Sequence, residues 1–343
     1  MAGILLINLG TPEGPTPPAV RRYLREFLFD PEVIDIPTIP RWILVNLIIA
    51  PFRAFKSARA YQKVWTKEGS PLLIHTENLA ANLQKSFSEH QVVVAMRYGN
   101  PSIRSGLERL KDESDIIVLP MYPQYAGATT RTVINKVHAE YAALNLSAKL
   151  HTVESFFEMP DYIESLANTV RQARTKKSFD HLLMSYHGLP IRQLPCVENN
   201  EYICKSKSSP CAAVDPAFPN CYRSHCYATS RALATALDLD ESSYSVSFQS
   251  RLGNIPWIQP YTSDHIHSLV ESGVKHLAVT CPAFVSDCLE TLEEINMEIR
   301  TEFLEAGGES FTYIPCINDD PAWAQKLILD RLAQMGESPK ALL

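Results

Sequence analysis

Four carboxylates stand in a row late in the chain. Asp287, Glu290, Glu294 and Glu298 are spaced i, i+3, i+7 and i+11, so on a helix they share one face. Like charges at that spacing cost a helix roughly 0.2–0.5 kcal/mol per pair. Such a row is either a solvated acidic face or a path that holds a cation or carries protons. Its position favours the second reading. An apolar run at 277–280, which reads as a buried strand, and Cys281-Pro282 precede it. In α/β proteins ligands gather at the carboxyl ends of strands. The sequence predicts a helix from Ser286 onward.

A second chemical group follows another strand. Met184-Ser-Tyr-His-Gly-Leu-Pro190 places His187 directly after an apolar run, and Gly188 and Pro190 then force a turn. An imidazole there points into a cleft rather than a core. Near carboxylates it accepts a proton at neutral pH or binds a divalent metal. A third group is five cysteines, Cys196, Cys204, Cys211, Cys221 and Cys226, separated by 7, 6, 9 and 4 residues. Pro210, Pro216, Pro219, Ser206, Ser208 and Ser209 mark this segment as a loop, and a long loop needs something to hold it. Four thiolates suit Zn(II) or a [2Fe–2S] cluster; the lack of a Cys-x-x-Cys pair weakens a zinc ribbon. No Walker pattern, G-x-G-x-x-G or Gly-x-Ser-x-Gly elbow is present.

The elements that must position these groups alternate. Strand-like runs fall at 4–9, 92–96, 116–119, 182–186, 244–248 and 277–280, with helix-period stretches at 79–87, 162–173 and 228–237. That alternation predicts α/β architecture with parallel sheets. Landmarks also repeat in order. Gly10-Thr-Pro12 matches Gly188-Leu-Pro190, Arg97-Tyr-Gly-Asn-Pro101 matches Arg251-Leu-Gly-Asn-Ile-Pro256, and Leu119-Pro-Met-Tyr122 matches Cys281-Pro-Ala-Phe284. The repeat predicts two similar domains, at 1–158 and 159–316, with a cleft between them, and a helix at 317–343 packing back.

With 343 residues, 45% hydrophobic and 20% charged, the chain has the composition of a soluble globular protein, and a net charge of −6 argues against a nucleic-acid surface. Met1-Ala-Gly leads straight into the first strand with no secretory signal, which predicts a cytoplasmic protein. Eight cysteines in that setting are free or metal-bound. The longest apolar run, at 42–52, is about half of the roughly 20 residues a membrane span needs. Three readings stand for it: a core helix, the lip of a pocket, or a shallow contact with the inner face of a membrane. Flanking Arg41, Arg53, Lys56 and Arg59 suit the last two.

At these motifs the chain resembles the ferrochelatases along nearly its whole length. The resemblance is carried by Leu5-Leu-Ile-Asn-Leu-Gly-Thr-Pro12, Met96-Arg-Tyr-Gly99, Tyr122-Pro-Gln-Tyr125, Ser185-Tyr-His-Gly-Leu-Pro190, Phe248-Gln-Ser-Arg-Leu-Gly253, Pro256-Trp257 and 281–295. It implies the chelatase fold, two Rossmann-like domains with a porphyrin-sized cleft. It also implies insertion of Fe(II) into protoporphyrin IX, giving haem and two protons. His187 and Glu290 would then flank the pyrrole nitrogens and meet the iron. Asp287, Glu294 and Glu298 would form a proton or iron path, over roughly 12 Å from Glu290 to Glu298 at an α-helical rise. Family members widen this helix into a π turn. Leu9, Arg97, Tyr98, Tyr125, Trp257 and the lip at about 30–60 would contact the porphyrin, with Arg97 pairing a propionate.

Two positions depart from the pattern of animal enzymes. Cys288 stands where those have a histidine beside the acidic pair. Gly127 stands where they place one cluster ligand, and no cysteine follows Cys316, which excludes an animal-type cluster. An internal [2Fe–2S] cluster on Cys204, Cys211, Cys221 and Cys226 remains the expectation, with Cys196 spare and His225 as a substitute ligand. The rival readings are a coproporphyrin or cobalt chelatase of the same fold, and a non-enzymatic haem- or metal-binding module.

Overall fold

Two four-stranded parallel sheets organise the chain, and they share one strand order. The computed structural model describes residues 2–204, 211–253 and 255–336. Met1, Ser206, Ser208, Ser209, Pro210 and Asn254 of the motifs above, and everything past 336, lie outside the described residues. The strands are β1 Ala2–Gly10, β2 Gln91–Tyr98, β3 Asp115–Pro120, β4 Lys149–Thr152, β5 His181–His187, β6 Val197–Glu198, β7 Glu201–Tyr202, β8 Tyr244–Gln249, β9 His276–Thr280 and β10 Ser310–Tyr313. The sheets run β2-β1-β3-β4 and β10-β9-β5-β8. Numbered within each sheet from its first strand, both read 2-1-3-4, which is the repeat the landmarks predict. In that order the chain reverses direction across the sheet between strands 1 and 3, where doubly wound folds bind ligands.

The six strands read from sequence are all present. In the two four-stranded sheets the two that were missed, β4 and β10, lie at edges and are largely half-exposed. Both are four residues long, Lys149-Leu-His-Thr152 and Ser310-Phe-Thr-Tyr313, and carry no continuous apolar run, unlike the edge strand β2. The cysteine segment is not a plain loop either. β6 and β7 form an antiparallel hairpin turned by Asn199 and Asn200, with φ of 49° and 64°, and a helix, Tyr222–Ala236, begins before the last cysteine.

Contacts divide the chain into two units: Met1–Tyr122, Gly127–Ser155 and Asn318–Leu343 in one, Pro123–Ala126 and Phe156–Ile317 in the other. In the first, Leu5, Ile7, Val93, Ala95, Ile116 and Val118 from β1, β2 and β3 pack with Leu107, Val133 and Val137 from helices. The helix Ala322–Gln334 returns to this unit, where Gln325 Nε2 donates to Ser86 Oγ at 2.5 Å. In the second unit Leu183, Leu277, Val279 and Phe311 from β5, β9 and β10 pack with Ile266, Ile295, Ile299 and Phe303.

The apolar run at 42–52 sits in one helical stretch from Thr38 to Val64, longer than the run itself and, by length and composition alone, sufficient to cross a membrane. Pro51 has no N–H for the carbonyl four residues back, and just before it the helix widens to π geometry at Leu44–Ile49. The stretch is not a core helix. Ala50, Ala54, Ala58, Tyr61 and Val64 are buried, but Ile39, Trp42, Leu47, Ile48, Phe52 and Phe55 are exposed, Phe52 by 77%.

Candidate active site

His187 closes β5, and the acidic segment follows β9. These strands are neighbours, with Leu183 opposite Val279. The two candidate groups therefore leave the second sheet side by side at its switch point. His187 Nδ1 lies 2.6 Å from the Gly188 carbonyl oxygen. That contact assigns the proton to Nδ1 and leaves the Nε2 lone pair for a proton or a metal. Tyr222 OH donates to the His187 carbonyl at 2.8 Å, and Phe284 packs 6.4 Å away, ring centre to ring centre. At Gly188 a Cβ would stand 2.8 Å from the Gln249 carbonyl oxygen and 3.2 Å from the Trp257 ring. Only glycine lets the turn come so close, and the approach puts Trp257 against Gly188, the residue after the histidine.

The acidic row forms differently from its sequence pattern. Glu290–Ile299 is a π-helix of 10 residues, continued by the α-helix Arg300–Glu305. Most π-helices are single turns at functional sites, so this one is long. It bears out the widening that the family resemblance implies. With hydrogen bonds from i to i+5, the four-residue steps from Glu290 to Glu294 to Glu298 align more closely than in an α-helix. Glu290 and Glu294 are half-buried and Glu298 is exposed. The row therefore runs outward to solvent. Burial raises the Glu294 carboxyl above its usual range. Ser250 and the charge of His187 oppose that shift, and Glu290 adds to it.

Asp287 is not on that face. The helix starts after it, and Asp287 lies in the preceding loop, buried. Its Oδ1 accepts from Thr291 Oγ1 at 3.0 Å, from Tyr313 OH, and from the Cys316 N–H at 3.4 Å. Thr291 also accepts from the Cys288 N–H. Asp287 thus ties the start of the π-helix to the end of β10. Cys288, in the same loop, is buried, and its thiol is pushed well up by burial and by Glu290.

Side chains that the sequence did not single out hold this arrangement. Tyr162 OH donates to the Pro282 carbonyl at 2.5 Å, and Gln124 Nε2 reaches the same oxygen at 3.3 Å and Thr229 Oγ1 at 3.0 Å. Gln249 and Ser250, at the end of β8, reach Glu290 and Glu294. All three of Gln124, Gln249 and Ser250 lie inside quoted motifs. The available signal was their place just past a strand end.

The remaining porphyrin candidates divide. Leu9 is half-exposed at the end of β1 and packs on the first unit's core. Arg97 faces inward: Nε donates to Thr132 Oγ1 at 2.8 Å and Nη2 pairs with Asp30. Tyr98 is fully buried and donates to Asp30 Oδ2 at 3.0 Å. In the second unit the Tyr125 N–H donates to His225 Nδ1 at 3.2 Å, and Trp257 Nε1 donates to the Leu252 carbonyl at 3.0 Å.

The cysteines are all buried. Cys196, expected to be spare, lies 3.4 Å from Cys221, sulfur to sulfur. Cys221 caps the helix Tyr222–Ala236, and a helix amino end favours a thiolate. Its thiol is lowered by the hydrogen bond shared with Cys196, whose own thiol is raised by that bond, by burial and by Cys204 nearby. Arg223 Nη1 donates to Cys211 Sγ at 2.9 Å, yet burial still pushes that thiol up to about 11. Cys226 lies inside the helix with no exposed surface, and burial raises its thiol. His225 is no substitute ligand. Nδ1 takes the Tyr125 N–H, Nε2 lies 2.6 Å from the Pro219 carbonyl, and Phe157 stacks on the ring at 3.8 Å. Among the described residues no group of three or more His, Cys, Asp or Glu stands ready to hold a metal ion.

Known proteins resemble nearly the whole of this chain. The family model Ferrochelatase matches residues 1–332. A ferrochelatase of Coxiella burnetii is 43% identical over 328 residues, covering 95% of this chain and 91% of the relative. One of Legionella pneumophila is 44% identical over 326 residues, covering 95% and 97%. Among solved structures, SirB from Bacillus subtilis with Fe3+ aligns with a TM-score of 0.51 at 11% identity, over 97% of this chain and 94% of that one. At that identity the likeness concerns the fold.

Tyr313→Phe should remove one donor from a buried carboxylate and destabilise the protein by about 1.5–3 kcal/mol, read from denaturant unfolding. An unchanged midpoint would show that Asp287 does not anchor the π-helix.

Proposed function

Because the chain belongs to the ferrochelatase family and inserts Fe(II) into protoporphyrin IX to give haem, we propose that His187 and Glu290 carry the metallation step. The reaction, a lyase reaction, takes two protons from pyrrole nitrogens and replaces them with one dication. The observation that carries the assignment is the adjacency of His187, ending β5, to the carboxylate helix that follows β9. His187 Nε2 offers its lone pair to a pyrrole proton or to the incoming Fe(II), and Glu290 supplies negative charge for the same dication. Glu294, with its carboxyl raised by burial, takes a proton nearer neutral pH than an ordinary glutamate. Glu298, exposed, passes it to water. Leu9, Tyr125 and Trp257 contact the porphyrin, while Arg97 and Tyr98 are both bonded to the buried Asp30. The relatives' similarity over 95% of the chain does not favour a cobalt or coproporphyrin enzyme or a non-enzymatic module. Anaerobic assays with Fe(II) and protoporphyrin should show His187→Ala and Glu290→Gln each slowed on the order of a hundredfold or more. Near-normal turnover in either variant would overturn its assignment.

The cysteine nest is proposed to hold a [2Fe–2S] cluster through Cys204, Cys211 and Cys221, with Cys196 in place of Cys226 as the fourth ligand. Four buried sulfurs of one segment support it, two of them 3.4 Å apart and one at a helix amino end, although these side chains do not stand as a formed metal site. Bound there, the cluster would supply a cross-link for the segment; Fe(II) insertion involves no electron transfer. Anaerobically purified protein should be brown, with iron and sulfide in equal amounts. The colour should vanish in Cys196→Ser and persist in Cys226→Ser. A colourless or zinc-loaded protein sinks the proposal.

The exposed apolar face of the helix at 38–64 is proposed to rest on the inner face of a membrane, keeping a cytoplasmic enzyme at the lipid surface. Exposed Trp42, Phe52 and Phe55 supply apolar insertion, and exposed Arg53, Lys56 and Arg59 supply charge for anionic headgroups. The protein should float with anionic vesicles and Phe52→Glu/Phe55→Glu should not; equal flotation of both would reject this surface.

A further inference from the structure

Glu294 sits in a cradle that the row of acids does not explain. The Ser250 N–H donates to Oε1 at 2.7 Å and the Ser250 hydroxyl to Oε2 at 2.5 Å. Gln249 Nε2 approaches Oε2 at 3.3 Å and donates to the Glu290 carbonyl at 3.1 Å. Gln249 cannot turn away, because its Oε1 accepts from Ser185 Oγ at 2.9 Å, inside a buried network with Thr262 and Ser247. Its backbone carbonyl meanwhile accepts the Gly188 N–H at 2.8 Å, one residue past His187. One residue thus links the histidine turn to both carboxylates. Ser250 has φ of 65°, a region that non-glycine residues disfavour, and in that conformation its N–H and its hydroxyl meet the same carboxylate.

The chemistry of the three donors differs. Amide N–H groups only donate, whereas a hydroxyl both donates and accepts. When Glu294 gains a proton, the cradle survives only with that proton on Oε2, where the Ser250 oxygen can accept it. We propose that Ser250 is the positioning residue of the proton relay: it fixes Glu294 beside Gln249, and its hydroxyl turns from donor to acceptor as the carboxyl is protonated. The idea rests on Glu294 receiving a proton during metallation. An N–H bond of the porphyrin breaks, an O–H bond forms at Oε2, and the electron pair left on nitrogen binds Fe(II). No oxidant or reductant is needed. The titratable groups around Glu294 are His187 from β5, Glu290 from its own helix and Cys281 after β9.

Ser250→Gly removes the hydroxyl, keeps the N–H and suits the positive φ; Ser250→Ala removes the hydroxyl and keeps the Cβ. Both should lower kcat on the order of tenfold, as expected for a lost hydrogen bond to a charged group. The porphyrin KM should stay within about a factor of two, since this pair touches a relay group rather than the ring. The acid limb of the rate profile should move to higher pH, because a carboxylate that loses a donor holds its proton more tightly. Ser250→Gly/Glu294→Gln should be no slower than Glu294→Gln alone. Thermal unfolding and porphyrin fluorescence quenching check that each variant is folded. Wild-type kcat with an unshifted acid limb in Ser250→Gly overturns the proposal, including where Ser250→Ala alone is slow. A fully active Glu294→Gln overturns instead the relay reading beneath it.

Discussion

Carboxylates that share a helix face and lie half out of water resist being charged together. Burial favours their neutral form, and each charge raises the pKa of the next. Much of the second unit's detail answers that constraint. Asp287 is withdrawn from the row and saturated with donors from Thr291, Tyr313 and Cys316. Glu294 receives two donors from Ser250 and a longer one from Gln249. Glu298 is left to water. The three acids therefore have three environments, and a graded row can move a proton where a uniform one would only repel.

The sheet supplies the precision. Strand order 2-1-3-4 opens a switch point between the first and third strands of each sheet. In the second sheet that point receives His187 from β5 and the acidic loop after β9, and β8 delivers Gln249 beside them. Because Gln249 pairs with His187 in the ladder and bonds the π-helix by its side chain, the spacing of imidazole and carboxylates is set by a rigid strand. Such placement is more exact than a mobile loop gives.

Much of this was legible in the residues. The apolar runs gave six of the eight strands of the two parallel sheets, the repeated Gly and Pro landmarks gave two like halves, and His187 after a strand pointed to the candidate site. Other features were hidden for physical reasons. β4 and β10 are four-residue strands in which polar residues break any apolar run. The i, i+3, i+7 spacing placed Asp287 on a helix that begins later, because Asp287 spends its carboxylate on Thr291 and Tyr313 before the first turn. A π-helix has no period that apolar spacing reveals. Cys196 looked spare because it stands close to the Gly-Leu-Pro turn, yet its sulfur lies 3.4 Å from that of Cys221. The buried inward turn of Arg97 depends on Asp30, 67 residues away, which no local pattern shows.

The like order of the two sheets places Leu9 and His187 at equivalent points, each directly before the glycine that ends or follows a first strand. Two copies of one half-length chain would have to carry one residue type at both points. Joining the halves in a single chain frees the two positions to drift apart, so that one keeps a titratable ring and the other a greasy surface. The asymmetry of the chemistry is then a property of the covalent fusion, and a mutation that suits one copy carries no penalty in the other.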